Sequence, residues 1–486
     1  MIVKSNQEEA LIKEAEIEEE NFNWTEAAII YQKLVKEYIN ENVLDKAAIF
    51  YKKLGFVNSH AADTVGTTEK YISLKEKAIM NYKKASNLFK NIGIKAEELE
   101  CYAESLFEEG CISSSINTGE KEFNNSLDFF IQASELFLNK GNDEGYVRNL
   151  IRAALCMHNL MKYARMPEEL EKIVSDVTIY IDKAWKISKK LKKFSYLIDC
   201  LYVFMNISMH NCFVAEMPTF YNLDQGKTLA FDFRKWFDRT KMVFELTKDH
   251  SNLKIQGIIN FILGFLYFYY GFFLAENINE QNHNIEKGLI LCEKGLDFIK
   301  KTKQNNLITI IIFFLNWYAL VCGKINYVQK RINKDIREIR EAGKVYSNLF
   351  SFWNFYRNFL PALYYTNIAQ RSFFAPKQRE SYAKKALEYA KASNSNLAYK
   401  PFSTWAYQIL TWSYSQLVYL AKNEEDRSKY AKKMLENSEN AYKIGSEYKN
   451  GFSRTSGYSA MYRSFKTLAD IAQNKENRIE MLRSAV

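Results

Sequence analysis

The chain has 486 residues, 47% of them hydrophobic and 26% charged. That composition excludes a disordered polymer, and the length exceeds what one ordinary compact domain holds. Only 5 prolines and 18 glycines occur, too few for a turn-rich all-β fold, while the net charge of +10 leaves room for an acidic partner, nucleic acid or an anionic membrane surface.

The first residues, MIVKSNQEEALIKEAEIEEE, turn acidic at once and carry no apolar core segment or small-residue cleavage site, which predicts no secretory leader. Two alanine-centred segments follow, WTEAAIIY at Ala27 and LDKAAIFY at Ala47. From there the pattern large–x–x–small–x–x–large–large recurs. Its small residue falls at Ala85, Ala133, Ala184, Thr240, Gly295, Ala342, Ala386 and Ser438, about 50 residues apart each time. The two most alike copies are YKKASNLFKNIG at 82–93 and FIQASELFLNKG at 130–141.

Positions i, i+3, i+6 and i+7 share one helix face. A small residue there lets a neighbouring backbone approach, and the large ones interlock around it. Between successive copies lies room for one more helix, at 96–109, 146–161, 195–212, 254–275, 305–323, 349–370, 402–421 and 455–472, all apolar and aromatic. Each unit therefore predicts an antiparallel helical hairpin, and hairpins in series bury a continuous core. Two polar stretches interrupt the rhythm. Residues 111–125 are expected to form an irregular loop, and so are 213–229, the latter a candidate break between two sub-arrays in a solenoid otherwise continuous over 1–486.

The small-residue helices contain Ala78, Tyr82 and Ala85, and more loosely Ser126, Phe130 and Ala133, Ala383, Leu387 and Ala390, and Ala431, Leu435 and Ser438. The preceding helices contain Asn260, Leu263, Gly264 and Tyr267, with a weaker copy at Leu99, Tyr102, Ala103 and Leu106. On these residues nearly the whole chain resembles the tetratricopeptide-repeat proteins. It departs from them in a unit of about 50 rather than 34 residues and in lacking the proline that ends each family unit. The resemblance implies an all-α, right-handed superhelical solenoid of antiparallel helical hairpins. It also implies a non-catalytic scaffold or regulatory module that takes a protein or peptide in its concave groove. Roughly the first 140 residues are also similar to the soluble attachment proteins of vesicle fusion, which implies the alternative of a peripheral membrane or trafficking adaptor. An RNA-binding helical repeat is a second alternative, against which stands the absence of any per-repeat pair of base-reading side chains.

Two stretches, IINFILGFLYFYYGFFLA at 258–275 and LITIIIFFLNWYALVC at 307–322, are long enough to raise the question of a membrane span. Both fall in the slot where every other unit has an apolar helix. Tyr267, Tyr269 and Tyr270 sit mid-run, whereas membrane tyrosines prefer the interfaces, and the connector between the runs reads as an ordinary amphipathic repeat helix. No transmembrane segment is expected. In the first stretch Asn260, Leu263, Gly264, Tyr267 and Gly271 form a packing face. Phe261, Phe265, Phe268 and Phe272 form an opposite stripe, which is either sandwiched by neighbours or lines an apolar groove for a partner.

No reaction is legible. DQGKT at 224–228 lacks the earlier glycine of a phosphate-binding loop. Cys156 with His158, and His210 with Cys212, look ligand-like but lack the four converging groups a zinc site needs. The seven scattered cysteines read as reduced thiols of a cytoplasmic protein. The acid pairs Glu97/Glu98 and Glu108/Glu109 sit on amphipathic helices and are expected to be solvated. No catalytic residue, cofactor or metal is expected. The partner is expected to be a protein or peptide, with acidic character favoured by peripheral Lys and Arg, while the basic runs at 183–194 and 330–344 read chiefly as solvated helix faces.

Overall fold

The computed structural model describes residues 2–485 apart from 66, 114, 162, 164–166, 215–222, 249, 303, 322–323, 344–350, 373, 395–400, 449–450 and 473–474. Side chains are further left out chiefly at 2–7, 208–233, 272–273, 342–357 and 451–455. Among the described residues there is no strand. Helices α1 (Ile2–Glu20), α2 (Trp24–Asn40) and α3 (Leu44–Ala62) open the chain. The small-residue helices are α4 (Thr68–Asn91), α6 (Ile116–Asn139), α8 (Pro167–Leu191), α10 (Leu223–Thr247), α12 (Ile278–Lys301), α14 (Ile325–Gly343), α16 (Pro376–Asn394) and α18 (Glu424–Tyr448). Between them stand α5 (Lys95–Ile112), α7 (Asp143–Leu160), α9 (Phe194–Val214), α11 (Leu253–Tyr269), α13 (Asn305–Val321), α15 (Ser351–Ala369), α17 (Pro401–Leu420) and α19 (Gly451–Ile471). A single π-helical turn, Tyr270–Leu274, extends α11, and α20 (Lys475–Ala485) ends the series. Each helix packs chiefly on its chain neighbours, the contact pattern of a solenoid. Every slot read from the sequence as an apolar filler contains a helix.

Five of the tight connections share one geometry. Phe22, Asn42, Gly93, Gly141 and Lys192 each have φ between 55° and 74°. The next residue's N–H reaches back to the carbonyl five positions earlier: Asn23 to Glu18 at 2.8 Å, Val43 to Tyr38 at 2.9 Å, Ile94 to Phe89 at 2.9 Å, Asn142 to Phe137 at 2.9 Å and Lys193 to Ser188 at 3.1 Å. A left-handed residue closing that bond satisfies the carbonyls a helix end leaves open. It also reverses the chain within three residues, which makes the hairpins antiparallel.

The small residues act as the sequence indicated. A Cβ on Gly264 would lie 2.8 Å from the Gly288 carbonyl oxygen, and one on Gly295 would lie 2.8 Å from that of Gly257, so α11 and α12 touch backbone to backbone. Ala85, Ala133, Ala184 and Ala386 are fully buried.

The irregular loop expected at 111–125 is a correction. Ser115 caps α6, its hydroxyl accepting from the Thr118 N–H at 3.4 Å, and the helix runs from Ile116. Polar residues there form an exposed helix start, and among the described residues of that stretch only Ser113 and Ser115 are non-helical. The stretch 213–229 is likewise helical up to Val214 and again from Leu223, and 215–222 lie outside the described residues. One buried apolar cluster extends from Val147 to Met434, on both sides of that stretch.

No described helix is long and apolar enough to cross a membrane. Within the run at 258–275, residues 259–269 are interior. The run's glycine face meets α12, and Phe265 and Phe268 of its phenylalanine stripe meet α13. The Phe265 and Phe268 rings lie 5.3 and 5.5 Å from that of Tyr318, and Phe261, Phe265 and Phe268 are buried. Those three therefore stabilise the fold by burial, at about 1.5–3 kcal/mol each, and offer no surface to a partner. The groove reading of the stripe is corrected at these positions, because α11 has neighbours on both sides. The Phe272 side chain lies outside the described set.

Candidate functional site

The array curves until its early and later hairpins meet. The Asn305 side-chain amide, at the start of α13, donates to the Val65 carbonyl between α3 and α4 at 3.3 Å. The Lys254 ammonium of α11 lies 5.9 Å from the rings of Phe22 and Trp24. Small rotations per repeat accumulate into such curvature, and here they border a half-open cavity of about 510 Å³ lined by residues of α3, α4, α5, α7, α9, α11 and α13 and by Gln304 beside α13.

One wall is the end of a ladder of ion pairs, with Glu104, Glu108, Lys75 and Arg152 lining the cavity. On α5, Glu100, Glu104 and Glu108 stand four apart and share a face, and all three are buried. Glu100 accepts from Lys52 of α3 at 2.6 Å and from Arg148 of α7 through two guanidinium nitrogens, one at 2.9 Å. Glu104 pairs with Arg152 of α7. Glu108 accepts from Lys75 of α4 at 2.7 Å and from the Ser59 hydroxyl at 2.6 Å. The Lys52–Glu100, Glu100–Arg148 and Glu104–Arg152 pairs each join residues 48 apart, equivalent positions of successive hairpins.

The rungs differ in electrostatics. Burial pushes all three carboxyls up. At Glu100, Lys52 and Arg148 outweigh it and hold the group down to about 2, and at Glu108 Lys75 and Ser59 also win. Glu104 stays raised, because burial there outweighs Arg152 and the flanking Glu108 and Glu100 add repulsion.

Farther into the cavity the charges are less completely matched. Asp199 of α9 is accessible to water from within the cavity although protein surrounds it. Burial pushes its carboxyl up to about 6, against Lys254 and Arg152. Asp63 is raised for the same first reason. Lys254 is lowered by burial, with Asp63 and Asp199 opposing. His60 is held well below its ordinary value by burial and by Lys254, Lys75 and Arg152, and it stacks on Trp24 at 4.8 Å. Gln304 is 2% exposed and its Nε2 has no hydrogen-bond partner. Such a cavity, with aromatic walls and a few polar groups at its end, has the size and make-up of a ligand-binding site.

Sequence reasoning missed this site. Glu108, expected to be solvated, is among its most buried groups, whereas Glu97, Glu98 and Glu109 keep partial access to water. The usable signal was the offset itself: Lys52, Glu100, Arg148 and Tyr196 occupy one position in four successive units. The other chemical candidates do not converge. Cys156 is buried with its sulfur 3.4 Å from the Ser126 hydroxyl, the thiol pushed up to about 12 by burial. His210 and Cys212 lie outside the described side chains. Among the described residues no cluster is arranged to hold a metal ion, and DQGKT is part of α10. In the basic run at 330–344, Arg331 is engaged within the fold, pairing with Glu293 at 2.6 Å and Asp335 at 2.5 Å, while Lys330, Lys334 and Arg337 are exposed.

No protein-family model and no curated protein matches the chain. Among solved structures, it is similar to a "Circular tandem repeat protein with novel repeat topology and enhanced subunit contact surfaces" (12% identity, 90% of this chain and 93% of that one, TM-score 0.21). Others are Naa15/Naa10 bound to HypK-THB (11%, 98% and 96%, TM-score 0.20) and the APC/C hetero-tetramer Cut9–Hcn1 (11%, 94% and 96%, TM-score 0.16). The fold itself rests on helix order and packing, which make the chain an α-solenoid of helical hairpins.

Proposed function

We propose that this chain is a non-catalytic interaction scaffold that holds a segment of a partner protein in the cavity on its inner face. The observation that supports this reading is the mismatch at the cavity's end. The buried Gln304 amide has no acceptor, and Asp199 faces the cavity with its carboxyl pushed up to about 6. A buried donor without an acceptor costs about 1–3 kcal/mol. An extended peptide relieves it by placing a backbone carbonyl at Gln304 and a basic side chain at Asp199. The membrane-adaptor alternative drew on an apolar stripe beside basic helices, and that stripe is interior at Phe261, Phe265 and Phe268.

The test is site-specific photo-cross-linking in native lysate from two cavity positions, Tyr202 and Ile258, and from an outward control, Lys248. A peptide of one protein captured from both cavity positions, absent from the control and lost on Asp199→Lys, supports the proposal. Equal capture from all three positions sinks it. So does native mass spectrometry showing a small molecule retained in place of protein.

A further inference from the structure

On another part of the surface α2, α3 and α4 form a second groove, of about 460 Å³. Its floor is α3, with Tyr51, Leu54, Asn58 and Ala61. One wall is a single face of α2 through Ile29 and Lys36, and the other a single face of α4 through Lys77, Met80 and Lys84. Ile29 and Met80 are 51% and 47% exposed, so each wall presents a large apolar side chain to solvent. All three lysines are exposed, and no carboxylate lines the groove. The α2 wall from Thr25 to Lys36 spans about 16 Å at the helical rise, close to three turns.

We propose that this groove docks an acidic amphipathic helix of a partner protein, its apolar stripe on Ile29, Leu54 and Met80 and its carboxylates against Lys36, Lys77 and Lys84. Two parallel walls and an apolar floor suit a helix laid lengthwise. The one-signed rim selects for acid and against basic helices. A flat anionic bilayer reaches the rim but not the floor, which favours the helix over a membrane. The site is separate from the inner cavity and does not depend on what binds there.

The test uses the full chain and a fluorescein-labelled designed helix of about four turns, with leucine at i, i+3, i+4 and i+7 and glutamate elsewhere. Its lysine counterpart and a scrambled glutamate peptide serve as controls. Saturable anisotropy is expected for the glutamate helix alone. It should weaken about tenfold in the Lys36→Glu/Lys77→Glu/Lys84→Glu variant and with rising salt, and it should stay unchanged in Asp199→Lys. Ile29→Asp should weaken it comparably. Circular dichroism checks that the variants, all at exposed positions, remain folded. Three results each overturn the proposal. These are no saturable binding of the glutamate helix, equal binding to the triple variant, or binding of phosphatidylserine vesicles without binding of the helix.

Discussion

Replacing Lys75 by methionine isolates the most buried pair of the ladder. Lys75 and Glu108 have side chains only 6% and 3% exposed and meet at 2.7 Å. Methionine keeps most of the volume and removes the charge, leaving a buried carboxylate to which the Ser59 hydroxyl still donates at 2.6 Å. Breaking a buried pair from one side costs about 3–5 kcal/mol, whereas replacing both partners by apolar groups is neutral or stabilising. Lys75→Met should therefore destabilise the first hairpins by about 3 kcal/mol, and Lys75→Met/Glu108→Leu should recover most of that. Repeat arrays do not unfold as one unit, so the assay is hydrogen exchange read on peptides from α4 and α5. The sign of the pH effect is a second readout. In the native chain Glu108 is held below 4.5, so its contribution is present above that value and is lost as the pH falls through the lowered one. In Lys75→Met the carboxyl is raised instead, and the damage should shrink toward pH 4. A loss under about 1 kcal/mol, or a double variant no better than the single one, would refute the view that the pair is a buried, interdependent unit.

Glu100→Gln should cost about 3 kcal/mol near neutral pH, because a carboxyl held at about 2 against an ordinary 4.5 stores that much linkage energy. That stability is present above 4.5 and is lost as the pH falls through about 2. Glu104→Gln should change stability by about 1 kcal/mol or less, since its raised carboxyl contributes stability only at low pH and loses it as the pH rises; infrared titration should show Glu104 protonating first of the three. Gly264→Ala forces a Cβ within 2.8 Å of the Gly288 carbonyl oxygen and should cost about 1–3 kcal/mol, seen as faster exchange in α11 and α12. Lys192→Gly relieves a left-handed residue at φ 55° and should stabilise the α8–α9 turn by up to about 1 kcal/mol, measured by the same exchange.

The repeat was legible because its signal is local. A small residue every fifty or so positions, flanked by large ones three and four away, specifies a helix face, and Gly93 and Gly141 mark the turns that reverse the chain. The hairpins followed from that. The ladder was not legible in the same way. Glu100, Glu104 and Glu108 have the spacing of any solvated helix face, and only the bases that α3, α4 and α7 bring to them distinguish a buried acid from a wet one. The phenylalanine stripe shows the converse, since an apolar face reads alike whether it meets a partner or the next helix of the same chain.

The amino-acid sequence by itself thus determined the element type, the hairpin unit and the close contacts at small residues, all set by interactions within or between adjacent helices. The tertiary structure decided the curvature that brings Asn305 to Val65 across 240 residues, and with it the inner cavity and the electrostatic state of Asp199 and Lys254. The physical reason is accumulation. Each inter-helix rotation is fixed by packing details too small to read one at a time, and their sum determines which distant surfaces meet.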